Sequence, residues 1–190
     1  MTVRKATIED CEPVASYLLL AMEDIVYQFM GTIDTAKAKE FMLHFVQSEA
    51  NQYSYQNCWI AEDDGEVVAA VNVYDGANLV ALRQPVIDYI RLRFNSAFDP
   101  EDETQAGEYY IDSLGVKPGR QGKGIGSSLL SFLIEEYVGS QRQALGLLVN
   151  RENPYARRLY LKLGFKSVSQ KTIFGKQLEH LQLNPGQSVW

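Results

Sequence analysis

The spacing of apolar side chains divides the first half of the chain into strands and helices. Val14, Leu18 and Ala21 recur every three or four positions, which is the period of a helix that covers one apolar face. Residues 58–62 and 67–74 are short, mostly apolar runs that predict strands, and Asp63-Asp64-Gly65 between them predicts a hairpin turn. The predicted elements are a strand at 3–6, a helix from the Thr7–Asp10 capping sequence to Gly31, a second helix at 35–49 capped by Asp34, and strands at 58–62 and 67–74.

The region between residues 75 and 107 has a less regular pattern. Its apolar positions predict a helix over 79–94 with a break at Pro85, followed by a polar, acidic loop. The loop is interpreted as a solvated excursion by default, and a lid or a dimer contact are the alternatives. The elements predicted beyond it are a strand at 108–116, a helix at 124–137, a buried strand at 145–149, a helix from Asn153 to Gly164, strands at 165–170 and 177–183, and a disordered tail at 185–190.

A glycine-rich turn joins the predicted strand at 108–116 to the next helix. Gly122, Gly124 and Gly126 carry no side chains that would keep a ligand from the backbone, so successive N–H groups can converge on an anion. The helix that follows adds its own unpaired N–H groups, and the pattern therefore predicts a pyrophosphate site. Neither a dinucleotide fingerprint nor a P-loop fits. The first needs a glycine at position 127, which is Ser127, and the second needs Ser or Thr directly after Lys123, where the chain has Gly124.

The turn is part of a longer pattern, Gln121-x-x-Gly124-x-Gly126, which is preceded by Val116-x-Pro118. A second pattern follows downstream, Asn153-x-x-Ala156-x-x-x-Tyr160-x-x-x-Gly164-Phe165. Its first three named residues lie at helical intervals and share one face of a helix. Together and in this order, the two patterns resemble the motifs of the GCN5-related N-acetyltransferase (GNAT) superfamily. The resemblance is close over the C-terminal half, whereas the N-terminal half resembles the family only in the layout of its predicted strands and helices.

This resemblance implies an α/β protein with the GNAT, or acyl-CoA N-acyltransferase, fold, in which helices flank a mixed twisted sheet. It implies that residues 1–190 are a single N-acetyltransferase domain. The activity that it implies is direct transfer of the acetyl group of acetyl-CoA to a primary amine of a small molecule or a protein. The alternative is a non-catalytic acyl-CoA-binding or dimerisation module on the same fold. A homodimer is an expectation from the family, and the acceptor and the acyl-chain preference stay open.

The same resemblance assigns catalytic roles. Tyr160 matches the tyrosine general acid of the family, which would protonate the departing thiolate. A base is also needed, because an alkylamine with a pKa near ~10.4 is protonated at neutral pH. The resemblance implies an acid on or near the central strand, and Asp112, which shares a strand face with Tyr110, is the first candidate there. Glu108 on the same face and His180 are the alternatives. The other histidine, His44, is assigned to packing or to the surface.

The acetyl-CoA contacts are carried over position by position. In the family, the central strand has a bulge whose backbone N–H groups meet the thioester carbonyl, and Leu114–Val116 are the matching residues. The positions assigned to acetyl-CoA are Leu114, Gly115 and Val116 of the strand, Gln121, Gly122, Lys123, Gly124, Ile125, Gly126 and Ser127 of the turn, and Asn153, Ala156 and Tyr160 of the second motif.

Composition and charge narrow the set of partners. The 190 residues, 46% hydrophobic and 22% charged, indicate one globular domain with a sizeable core. The net charge of −6 argues against nucleic acid or an anionic membrane, and it favours a cationic acceptor such as a polyamine, an aminoglycoside or a lysine side chain. The sequence has no signal peptide and no spanning apolar run, and Cys11 and Cys58 form no disulfide framework, so a cytoplasmic protein is expected. The cysteines and histidines lack ligand spacing, and no metal is expected.

Overall fold

The strands of residues 1–186, which the computed structural model describes, form one seven-stranded mixed sheet. The strands are β1 (Thr2–Lys5), β2 (Cys58–Asp63), β3 (Glu66–Asp75), β4 (Tyr109–Val116), β5 (Leu145–Asn150), β6 (Lys166–Ile173) and β7 (Lys176–Leu183), in the sheet order β1-β2-β3-β4-β5-β7-β6. The helices are α1 (Cys11–Met30), α2 (Thr35–Gln47), α3 (Leu79–Arg93), α4 (Ile125–Leu133) and α5 (Pro154–Lys162). The predicted α/β class, a mixed sheet flanked by helices, is confirmed. The predicted disordered tail at 185–190 lies outside the described residues in its last four positions.

The chain divides into two compact units, and each is described by itself. The first unit comprises Met1–Val73, Val80–Asp99 and Ser113–Leu129. The second unit comprises Tyr74–Leu79, Pro100–Asp112 and the residues from Leu130 onward. The single domain predicted for residues 1–190 stays a prediction.

Antiparallel pairing builds the sheet of the first unit, where β2 pairs with both β1 and β3. The turn between β2 and β3 is the predicted hairpin, with Asp64 and Gly65 at φ values of 51° and 77°. Aromatic side chains from α1, α2 and α3 form much of the core. The ring of Phe41 lies 4.9 Å from Phe45 and 6.1 Å from Phe29, and both pairs meet edge to face.

Two of the helices depart from their predictions in the middle. Helix α1 ends at Gly31 (φ 65°) as predicted, but it is kinked at Met22, whose φ of −134° and ψ of 19° are not helical. The break predicted at Pro85 is wrong, because α3 runs without interruption from Leu79 to Arg93. Proline costs a helix one N–H hydrogen bond. The burial of Leu79, Val86 and Ile90 along one face offsets that loss.

In the second unit, β7 pairs antiparallel with β5 on one side and with β6 on the other. Strand β5 also pairs in parallel with β4, over Tyr109–Ile111. After α4, a π-helical segment over Ile134–Ser140 lengthens the predicted helix by a few residues. Among the helices of residues 1–186, none has both the length and the apolar character that crossing a bilayer requires.

Candidate active site

The glycine-rich turn before α4 presents a run of backbone donors. Gly122 and Gly124 have φ values of 73° and 84°, and a Cβ at either position would meet nothing within 4 Å. Glycine is therefore needed for the left-handed backbone and not for space. Within residues 1–186, none of the N–H groups of Gln121–Gly124 donates to a backbone or side-chain acceptor. These exposed donors fit an anionic ligand.

Helix α4 adds further donors at its start. The N–H of Ser128 makes the first helical bond, to the carbonyl of Gly124 at 2.9 Å, so the N–H groups before it belong to the unpaired first turn. Gly126 lies next to the end of β4, since a Cβ there would make ordinary contacts with Leu114 at 3.5 Å and Val116 at 3.6 Å. The predicted strand and turn positions are therefore brought together in the first unit.

The side chains around the turn differ in their availability. Lys123 is exposed, whereas Arg120 is paired with Asp63 at 2.6 Å. The amide of Gln121 donates to the carbonyl of Val116 at 3.2 Å, which ties the turn back to the end of β4. The backbone of this turn is therefore open to an anion, and Lys123 is the exposed cation beside it.

Strand β4 contains one residue more than the stretch of β3 that faces it. Lys117 donates its N–H to the carbonyl of Val68, and Gly76 donates to Glu108 at the other end of the pair. Between these two hydrogen bonds, ten residues of the β4 strand, from 108 to 117, oppose nine residues of the β3 strand. An extra residue on one strand is a β-bulge, which leaves a backbone group unpaired and increases the local twist. The bulge expected from the family resemblance is therefore consistent with this register.

Gly115 allows close approach on the other face of β4. A Cβ at this position would lie 1.8 Å from the carbonyl oxygen of Tyr17, in the middle of α1. No side chain tolerates a backbone atom at that distance. The hydroxyl of Tyr17 also bonds the carbonyl of Val67 at 2.9 Å, which holds this part of α1 to the sheet. Gly115 is thus required by packing, whatever it contributes to a ligand.

Helix α5 of the second unit carries the residues of the second motif. Asn153 caps the helix by accepting the N–H of Ala156 at 3.1 Å, and its own amide nitrogen stays available to donate. One turn further on, Tyr160 lies half-buried with its ring 6.0 Å from that of Phe165, edge to face. Gly164, at φ 95°, ends the helix region as predicted.

The hydroxyl of Tyr160 has no hydrogen-bond partner within residues 1–186. The hydroxyl is not sealed in the interior, so it is available to solvent or to a ligand. Burial raises the pKa of Tyr160 above its ordinary value of 10.0, so the phenol is protonated at neutral pH. The side chain is therefore in the state of a proton donor.

Asp112 lies on β4 in the second unit, next to two residues that sequence reasoning missed. The hydroxyl of Tyr74 lies 3.5 Å from the Oδ2 of Asp112 and 3.0 Å from the Oε1 of Glu103. The ring of Tyr110, on the same face of β4, meets the ring of Tyr74 at 5.8 Å. Strand periodicity could have indicated Tyr74, but the sequence contains no signal that brings Glu103 back from the acidic loop.

The two alternative bases, Glu108 and His180, are occupied elsewhere. The buried carboxylate of Glu108 accepts hydrogen bonds from Thr104 at 2.6 Å, Gln182 at 2.7 Å and the His180 ring at 2.9 Å. Burial favours the neutral acid, but these hydrogen bonds outweigh it and hold the pKa of Glu108 below its ordinary value. The lack of a side chain at Gly146 makes room for this carboxylate, since a Cβ there would lie 1.8 Å from its Oε2.

His44 and the cysteines take structural positions. The His44 ring stacks on Tyr89 at 4.9 Å, at the surface of the first unit. Cys11 and Cys58 are both buried as free thiols. In the described part of the chain, no group of three His, Cys, Asp or Glu side chains is arranged to hold a metal ion.

Comparisons with known proteins agree with the sequence resemblance. The model of the acetyltransferase (GNAT) family matches residues 21–165. A crystal structure described as an acetyltransferase is 29% identical, with a TM-score of 0.78, and the match covers 97% of this chain and 99% of that one. No curated protein matches the sequence significantly.

Two further solved structures show similarity of fold. An N-acetyltransferase from Staphylococcus aureus Mu50 is 20% identical, with a TM-score of 0.82, and the match covers 96% of this chain and all of that chain. The Salmonella typhimurium protein yncA, assigned as an acetyltransferase and solved with its cofactor acetyl-CoA, is 21% identical with a TM-score of 0.54. That match covers 99% of this chain and 95% of the other.

Proposed function

The chain belongs to the acetyltransferase (GNAT) family and is an acetyl-CoA-dependent N-acetyltransferase, and we propose that it acetylates a cationic primary amine. The run of unpartnered N–H groups from Gln121 into the first turn of α4 is the observation that supports acetyl-CoA as the donor. The net charge of −6 supports a cationic acceptor, either a small molecule or a protein amine. No comparison supports the alternative of a non-catalytic binding module.

We assign the donor contacts to backbone groups and to α5. The turn Gln121–Ser127 would hold the pyrophosphate, with Lys123 beside it. Leu114, Gly115 and Val116 are the positions of β4 assigned to the bulge, where an unpaired N–H would stabilise negative charge on the thioester carbonyl oxygen. Asn153 and Ala156 would contact the pantetheine arm. The bound acetyl-CoA supplies the activated acetyl group.

Two side chains would move protons in this reaction. Asp112, which is half-buried on β4, would take a proton from the acceptor ammonium, because only the neutral amine is a nucleophile. Tyr160 would give its phenolic proton to the coenzyme A sulfur, and its raised pKa keeps that proton in place at neutral pH. No covalent enzyme intermediate is needed, because both buried thiols are remote from either motif in the sequence.

Three finer assignments accompany the proposal. Residues 1–190 act as a single N-acetyltransferase domain, and the protein works in the cytoplasm, where its two free thiols stay reduced. A homodimer is proposed from the family alone.

The proposal is tested by acetyl-CoA turnover on a panel of amines that contains spermidine, an aminoglycoside and a lysine peptide, with released thiol as the signal. We expect saturable turnover on at least one of these amines. Asp112→Asn should lower kcat by about 10²-fold, the lower end of the contribution of a general base. The matched control is Asp99→Asn, whose side chain is 88% exposed and pairs with Arg91, and which should behave like the wild type. Binding of acetyl-CoA without turnover on any amine would favour the binding module, and absence of binding would refute the assignment of the turn.

A second expectation concerns the backbone of the turn. Gly124→Ala places a side chain at φ 84°, which strains the turn by about 1–3 kcal/mol and moves its N–H groups. The KM for acetyl-CoA should rise by about tenfold, since the loss concerns donor binding. Gly119→Ala is the control, because Gly119 has a φ of 81° and an equally open Cβ position but lies outside the motif. If both variants raise the KM equally, the backbone of Gly124 has no special role.

A further inference from the structure

The acidic segment before β4 is largely exposed, but several contacts hold it in place. Gly76 packs against it so closely that a Cβ would lie 2.1 Å from the carbonyl of Gln105. Lys171 of β6 donates to the carbonyl of Asp102 at 3.1 Å and to the side chain of Gln105 at 3.3 Å. The carboxylate of Glu101 accepts the N–H of Phe174 at 3.2 Å. These contacts position Glu103 in the middle of the segment.

The placement of Glu103 matters because of Tyr74. This tyrosine is 2% exposed, and its hydroxyl lies between the carboxylates of Glu103 and Asp112. A phenol has one proton to donate. The shorter distance, 3.0 Å against 3.5 Å, directs that proton to Glu103 and leaves the oxygen lone pairs facing Asp112. A proton on Asp112 therefore has an acceptor in Tyr74, and Tyr74 has one in Glu103.

We propose that Tyr74 and Glu103 relay the acceptor's proton from Asp112 to solvent. This inference rests on the proposed function, in which Asp112 is the base. An N–H bond of the acceptor breaks and an O–H bond forms on Asp112. That proton then passes to the oxygen of Tyr74 as the phenol's own proton passes to Glu103, and half-buried Glu103 releases it to water. Asp112 and Tyr74 return to their starting states, so the cycle needs no other reactant.

This relay gives the inserted segment a chemical role. In this relay Tyr74 and Glu103 act through Asp112 and not on the acceptor itself, so they are positioning residues and not catalytic residues. Asp112 is half-buried. The buried hydroxyl of Tyr74 would pass its proton to Glu103, which is in contact with solvent. A general acid or base contributes about 10²–10⁴-fold directly, and we expect a residue that only resets the base to contribute less.

The test compares Glu103→Gln and Tyr74→Phe with the wild type, with spermidine first and then the other amines of the panel. Both changes keep the shape of the side chain. Glu103→Gln removes the carboxylate that accepts the proton, and Tyr74→Phe removes the hydroxyl that passes it on. Each should lower kcat by about tenfold, and the double variant should lose no more than the worse single variant, because both changes break one path. Added imidazole, which can carry the proton instead, should restore Glu103→Gln. A purely structural defect would not respond to imidazole.

The control is Glu101→Gln, which makes the same change of charge in the same segment but does not involve Tyr74. The glutamine oxygen can still accept the N–H of Phe174, so the segment keeps this contact and the variant should keep the wild-type kcat. Three results would each overturn the relay. They are a wild-type kcat in Glu103→Gln, a double variant whose loss of kcat equals the product of the two single losses, and a loss in Glu103→Gln that imidazole does not restore. If the wild type turns over none of the amines, the proposed function fails and the relay with it. If the wild type is active and Glu103→Gln is unimpaired, only the relay fails.

Discussion

Tyr160→Phe should lower kcat by about 10²-fold or more while leaving acetyl-CoA binding intact, since a positioned general acid contributes about 10²–10⁴-fold. The half-buried ring keeps its edge-to-face contact with Phe165 in the variant, and only the hydroxyl is lost. That hydroxyl has no hydrogen-bond partner within residues 1–186, so its removal leaves no other polar group unsatisfied. Acetyl-CoA affinity by calorimetry and released thiol by steady-state assay measure the two quantities separately.

Tyr155→Phe is the matched control for this variant. Tyr155 lies on the same helix, and its side chain is 84% exposed, so the loss of its hydroxyl should change neither kcat nor acetyl-CoA affinity. A wild-type kcat in Tyr160→Phe would show that the thiolate leaves without help from this residue. A weakened affinity with an unchanged kcat would make Tyr160 a binding residue instead.

Glu108→Ala should cost about 3–5 kcal/mol of the free energy of unfolding, because it removes the acceptor of three side chains and each buried polar group left unsatisfied costs about 1–3 kcal/mol. The carboxylate is buried with Thr104, His180 and Gln182 directed at it, and the alanine would leave all three without their acceptor. Glu108→Gln keeps the volume and one acceptor oxygen, and it should cost less, about 1–3 kcal/mol. Urea denaturation at neutral pH measures both variants.

The same carboxylate predicts an acid-sensitive part of the stability. Hydrogen bonds hold the pKa of Glu108 below its ordinary value of 4.5 in the folded protein, although burial opposes them. The unfolded chain therefore binds a proton at this group at higher pH than the folded chain does. The contribution of Glu108 is present above its ordinary pKa and is lost as the pH falls through the lower folded value. Glu108→Ala should lack this component.

Exposed Asp99 provides the comparison, because its ion pair with Arg91 is accessible to water and Asp99→Ala should unfold close to the wild type. A loss in Glu108→Ala of less than about 1 kcal/mol would mean that water replaces the carboxylate in the cluster. The lack of a side chain at Gly146 would then not be explained by the stabilising role of the Glu108 carboxylate.

Local chemistry explains why much of the fold could be predicted from the sequence. The hairpin at Asp64-Gly65, the cap at Asp34 and the helix end at Gly31 each depend on a few neighbouring residues, and all three are present in the structure. The turn at Gly122 and Gly124 depends on their left-handed backbone, which glycine alone adopts without strain. The failed prediction was the break at Pro85, where the burial of apolar side chains around it overcame the local preference.

The sequence by itself determined the donor half of the proposed site, because the glycine turn and the α5 motif are each contiguous and each depend on short-range spacing. Only the tertiary structure decided the surroundings of the proposed base. Asp112 and Tyr74 are far apart in the chain and meet through strand pairing, and Glu103 comes from a segment whose position is set by Gly76 and Lys171. The tertiary structure also distinguished the roles of Glu108 and Asp112, because three hydrogen bonds in the interior hold the Glu108 carboxylate in a structural position. Such contacts depend on long-range packing, which residue spacing alone does not specify.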